Sequence, residues 1–188
     1  IALIEDVAVD LFRVRGGKVH DWMLHHAGPE PILSIPLQDG AFEPAAWLAN
    51  GAQRVRSAST GDTWDARWTV DDVTSRVTML GSPATEVYSL ETYPIDNAVV
   101  TPEHPACQSL CVRRRDDMPF LAVHDAWRDS PNLKSIERAT GADAVRIKTA
   151  ANTYYVLCGP GHANFGDGVS IRTDAAFALL RNRDAVVS

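Results

Sequence analysis

"DLFRVRGGKVHDWMLHH", Asp10 to His26, sets two strand-like runs on either side of a Gly-Gly turn and gathers three of the chain's six histidines beyond it. Side chains alternate along a strand, so His20, Trp22, Leu24 and His26 share one face while Asp21, Met23 and His25 share the other. If the two runs form a hairpin, the turn fixes which of them meets Asp10. A two-residue turn at Gly16-Gly17 pairs Val14 with Val19 and Asp10 with Met23, sending Asp10 and His20 to opposite faces. A turn closed by a glycine in the left-handed region, with a bulge, pairs Val14 with Lys18 and Asp10 with Trp22. Asp10 and His20 then become diagonal neighbours, a carboxylate beside an imidazole.

Short runs of alternating or β-branched character recur along the whole chain. "TWDARWTV", "SRVTML", "EVYSLETY", "SLCVRRR", "FLAVHDAW", "AVRIKTA", "TYYVLCG", "VSIRT" and "AFALLRNR" are bounded by Gly, Pro, Asn and Asp. Turn signals fall at residues 38–40, 60–62, 140–143 and 166–168. This spacing predicts an all-β fold, an antiparallel β-sandwich with little helix, built as a single domain over residues 1–188. The best helical segment is "EPAAWLANG", residues 43–51, with Pro44 in a first turn and Gly51 as a stop.

Composition excludes several classes of function. The chain has 188 residues, 45% of them hydrophobic, and a formal charge of -6. Its longest basic block is Arg113-Arg114-Arg115, so no nucleic-acid partner is expected. No apolar run approaches the roughly 18 residues that span a bilayer, so no membrane partner is expected. The chain opens without Met, directly in strand-like sequence, and reads as a C-terminal fragment of something longer. Cys107 and Cys111, if on one strand, lie roughly 13 Å apart, beyond disulfide reach. With Cys158 they read as buried or half-buried thiols.

Several residues carry two readings each. Asp10 and His20 are two of the usual zinc donor types, but zinc needs three or four. The plainer reading gives Asp10 backbone or Arg13 partners and makes His20 a satisfied strand residue. His25 and His26 either line a cleft or form a solvated edge. Arg113 and its neighbours either grip substrate carboxylates bidentately or lie on a solvated strand. Trp64 and Trp68 share a face with Ala66 and Val70 and read as core, although such a pair also suits stacking on sugar rings. His124, alternating with Phe120, Ala122 and Ala126, reads as core, and His162 as a loop residue.

Together with "VRRRDDMPFLAVHDAW" (residues 112–127) and "GDGVSIRTDAAFALLR" (residues 166–181), the opening stretch resembles the C-terminal β-sandwich part of heparinase II/III-like polysaccharide lyases. The opening stretch is the specific part, and the resemblance extends over essentially the whole chain. It implies an enzyme in which an upstream α/α-barrel domain and this sandwich close over a cleft and cleave an acidic polysaccharide by β-elimination. It implies zinc as cofactor, with Asp10 and His20 as metal ligands. The further family histidines, one a ligand and one catalytic, would precede Ile1. The isolated chain is therefore expected to be inactive, its zinc site one protein ligand short, and the turn bulged at Gly16 or Gly17. His25 and Arg113 are the candidate substrate-binding residues. A periplasmic or secreted location would suit such a substrate. The alternative is a noncatalytic carbohydrate-binding or scaffold module of the same fold.

Overall fold

The computed structural model describes residues 1–26, 28–43, 52–92 and 106–183. The candidate helix at 43–51 lies outside the described residues apart from Glu43. Among the described residues there is no helix. The strands are β1 (Ala2–Ile4), β2 (Val7–Phe12), β3 (His20–His26), β4 (Ile32–Leu33), β5 (Gln38–Asp39) and β6 (Gln53–Thr60). They continue with β7 (Trp64–Val70), β8 (Val73–Met79), β9 (Thr85–Thr92), β10 (Cys107–Arg114), β11 (Phe120–Trp127) and β12 (Leu133–Arg138). The last are β13 (Ala144–Thr149), β14 (Asn152–Cys158), β15 (Gly161–Asn164), β16 (Ser170–Thr173) and β17 (Phe177–Arg183).

Every strand pairing among them is antiparallel. The first sheet runs β1-β2-β11-β8-β7-β4, the second β3-β10-β9-β6-β5, and the third β12-β13-β14-β17, with β15 and β16 as a separate ribbon. The fold is thus an all-β antiparallel sandwich, extended by a further layer. One core lies between the first and second sheets, where Trp64, Ala66, Trp68, Met79, Phe120 and Ala122 meet Trp22, Val87, Leu110 and Val112. A second lies on the other face of the first sheet, where Val7, Val9, Leu121 and Val123 meet Val145, Ile147, Tyr154 and Val156 of the third. The first sheet is therefore covered on both sides. That accounts for the unbroken apolar run "FLAV" at the start of β11, since a strand covered on both faces loses the polar half of its alternation.

The segment that opened the sequence reading folds differently from either hairpin register. β2 pairs with β1 and β11, whereas β3 pairs with β10 in the facing sheet. The connection is an arch that carries the chain from one layer to the other. Gly16 and Gly17 both hold positive φ, at 76° and 87°, a backbone that glycine adopts without a Cβ clash. The glycines do mark a tight change of direction, but no bulged ladder joins Asp10 to Trp22. The reason is the core: Trp22 and Leu24 bury their face against the first sheet only if β3 leaves that sheet.

Cys107 and Cys111 share β10, and all three cysteines are free, Cys111 buried and the others half-buried. Trp64 and Trp68 are core residues, as their spacing suggests. His162 lies on β15, with its Nε2 2.5 Å from Ser170 Oγ, and is not a loop residue. No helix among the described residues is long and apolar enough to cross a membrane.

Candidate functional site

The face of β3 that points into the sandwich carries His20, Trp22, Leu24 and His26, in line with their alternation. Trp22 is 6% exposed, and its indole N–H donates to Asp10 Oδ2 at 3.0 Å. Asp10 and Trp22 therefore do meet, across the gap between two sheets. His20 is buried two residues further along the same face, with Nε2 3.5 Å from Asp117 Oδ1. Asp10 and His20 approach the same interlayer space, but the acceptor of Asp10 nearest the second sheet is taken by the indole. Among the described residues no three His, Cys, Asp or Glu side chains converge as a metal shell. Asp10 and His20 alone do not make a complete zinc site.

Further along the gap lies a cavity of about 470 Å³ with mostly apolar walls, among them Leu24, His26, Trp68, Val77 and His124. The His26 ring stacks on Trp68 with centroids 4.8 Å apart and planes at 18°. The His124 ring sits 6.3 Å from that of Trp22. Burial lowers the pKa of both histidines, and for His124 the carboxylates of Asp10 and Asp125 oppose that shift. Both imidazoles are held toward the neutral form. His26 Nδ1 and Trp68 Nε1 are buried without a hydrogen-bond partner. The solvated-edge reading of His26 is corrected by this stack.

The opposite face of β3 faces away from the first sheet. Here Arg113 forms a fork with Asp21, at 2.7 and 2.8 Å, and also donates to Glu43 O at 3.1 Å. Its guanidinium lies over the rings of Phe42 and Tyr88. Burial pushes the Tyr88 hydroxyl to about 12, helped by the Glu86 carboxylate that accepts its hydrogen bond at 3.0 Å. His25 Nδ1 lies 2.8 Å from Ser109 Oγ, and that hydroxyl is 2.8 Å from Thr92 Oγ1. The His-Ser geometry is that of an activated nucleophile, but Ser109 is 1% exposed, so no substrate reaches its oxygen. Burial also lowers the pKa of His25.

The reading of the three arginines as a solvated strand holds for Arg115 alone. Arg113 is buried, and Arg114 is 0% exposed. Arg114 donates to Thr85 Oγ1 at 3.1 Å, Pro119 O at 2.7 Å and Leu80 O at 3.1 Å, with its guanidinium over the Phe120 ring. Burial lowers its pKa to about 10, Arg138 adds to that effect and Asp116 opposes it. The signal was present in the sequence. Leu110, Val112 and Arg114 share a strand face, so alternation alone turns the middle arginine inward.

Comparison of the sequence with protein-family models and with curated proteins returns no match.

Proposed function

We propose that this chain is the β-sandwich part of a heparinase II/III-like polysaccharide lyase that cleaves uronic-acid polysaccharides by β-elimination. The observation that carries the reading is the turning of Asp10 and His20 toward one interlayer space, where Asp10 accepts from Trp22, which shares its strand face with the buried His20. In β-elimination a base removes the proton α to the carboxylate, an acid assists the departing glycosidic oxygen, and neutralisation of the carboxylate acidifies that proton. Asp10 and His20 would supply two donors to zinc, the further protein ligand being the histidine expected upstream. An α/α-barrel upstream would supply the other wall of the cleft, and a periplasmic or secreted location would match an extracellular polymer. His25 and Arg113 would face substrate, although Arg113 reaches a sugar carboxylate only by releasing Asp21.

That last point favours a second reading, a noncatalytic carbohydrate-binding or scaffold module. The internal partners of Arg113 and Arg114 make both side chains parts of a frame. Two measurements separate the readings. The first is the ultraviolet absorbance of unsaturated uronate product, with and without the residues expected upstream. The second is zinc titration of the 188-residue chain and its Asp10→Ala and His20→Ala variants. The lyase reading expects product only from the longer protein, and weaker zinc binding in both variants. Identical titrations and no product from either length would leave the scaffold module.

A further inference from the structure

A second cavity, of about 590 Å³, opens at the far side of the β2–β3 arch and is lined by Arg13, Arg15, Arg138, Asp143, Met118 and the turn that ends β14. Three arginines line it against the single carboxylate-bearing residue Asp143, in a chain whose net charge is -6. Arg13 is paired with that carboxylate. Arg138, at the end of β12, is in a different position. Its Nε and Nη2 are buried with no hydrogen-bond partner. Burial lowers its pKa, and the buried Arg114 is close enough for the two cations to be felt by each other. Arg114 in turn has only neutral oxygens as hydrogen-bond partners.

A fully buried guanidinium beside a half-buried one whose Nε and Nη2 are shut off from water is costly unless an anion compensates the pair. An unpaired fork of N–H donors is also the geometry that matches an oxyanion. The volume exceeds that of a bare ion and falls within the range of small-ligand pockets. We propose that Arg138, Arg15 and Arg13 form a binding site for an oxyanion: a sulfate, phosphate or carboxylate group carried by a ligand that enters this cavity. Arg138 donates from Nε and Nη2, Arg15 closes from the exposed side of the arch, and Arg13 holds the rim through Asp143. The site lies outside the interlayer space of Asp10 and His20 and does not depend on the lyase reading.

The test titrates the 188-residue chain with sodium sulfate, sodium phosphate, sodium glucuronate and sodium chloride at matched ionic strength, which holds screening constant. The readout is the Nε–H resonance of Arg138 by nuclear magnetic resonance, with thermal stability alongside. Saturable movement with any oxyanion, and none with chloride, is the expected result. Tightest binding of glucuronate would identify an acidic sugar as the source of the group, and tightest binding of phosphate or sulfate an ester of that acid. Arg138→Gln and Arg15→Gln should each weaken binding at least about tenfold, the loss of one charge-assisted hydrogen bond. Arg115→Gln should not alter it. Arg15 is exposed, so its variant keeps the test decisive if Arg138→Gln fails to fold. A chloride response equal to that of sulfate, or wild-type affinity in Arg15→Gln and Arg138→Gln, would overturn the assignment.

Discussion

Trp22 on an edge strand of the second sheet and Asp10 on the first sheet are joined by an indole-to-carboxylate hydrogen bond of 3.0 Å, although β2 and β3 share no ladder. The bond ties the two layers together just where the arch leaves one for the other. Asp10→Ala would leave a buried indole N–H unpaired and should cost about 1–3 kcal/mol. Trp22→Phe would remove the donor, and after it Asp10→Ala should cost much less. A double-mutant cycle from urea unfolding measures the coupling, expected at about 0.5–3 kcal/mol. Strict additivity would show that the bond contributes nothing to joining the sheets.

The interlayer histidines predict an acid-sensitive fold. His26 and His124 have their pKa values lowered below the ordinary 6.5 by burial. As pH falls through 6.5 the unfolded chain takes up protons that the folded chain refuses, so stability is full above that value and declines toward the lowered one. Urea midpoints followed between about pH 7 and pH 5 should fall, and His124→Gln should flatten the slope. Imidazole resonances of His26 or His124 titrating above 6.5 would contradict the burial that sets the effect.

How much of this was legible beforehand depends on what period-two alternation encodes. It assigns faces, and the faces of His20, Trp22, Leu24 and His26 are as their spacing implies. It does not assign partners. A Gly-Gly turn between two strands reads the same whether the strands pair or part, and only the burial of Trp22 against Trp64 and Phe120 requires them to part. Strand β6, "QRVRSAST", was missed because polar and small residues fill both of its faces. Arg138 and its cavity were not legible at all, since its environment is assembled from β12, the arch and the turn after β14.

Arg113 and Asp21 provide a test of frame against binding site. Both side chains are largely buried, at 9% and 12% exposure, and the pair is bidentate. Arg113→Lys cannot reproduce the fork or the packing on Phe42 and Tyr88, and should cost about 2–4 kcal/mol. Asp21→Asn should cost nearly as much by leaving a buried guanidinium short of its counter-charge. Chemical denaturation of both variants checks this. A stable Arg113→Lys protein with altered affinity for uronate polymers would instead give the residue a role in binding.

Arg114 makes the sharpest prediction because it is fully buried and has no carboxylate hydrogen-bonded to it. Its donors satisfy the carbonyls of Leu80, just after β8, and Pro119, just before β11, and the hydroxyl of Thr85, the first residue of β9. The side chain thus pins the end of β8, the approach to β11 and the start of β9 around the Phe120 ring. Lysine presents a point charge and cannot direct bonds to all three oxygens in the plane of a guanidinium. Methionine fills much of the volume and leaves all three without that donor. Arg114→Met should therefore cost about 3–5 kcal/mol, with Arg114→Lys only slightly milder. The burial that lowers the arginine's pKa to about 10 still leaves it protonated near neutrality, so the loss should hardly vary between about pH 6 and pH 8. Urea unfolding across that interval is the measurement. A loss under about 1 kcal/mol would mean that water replaces the guanidinium at all three oxygens, and that the fold does not depend on this buried cation.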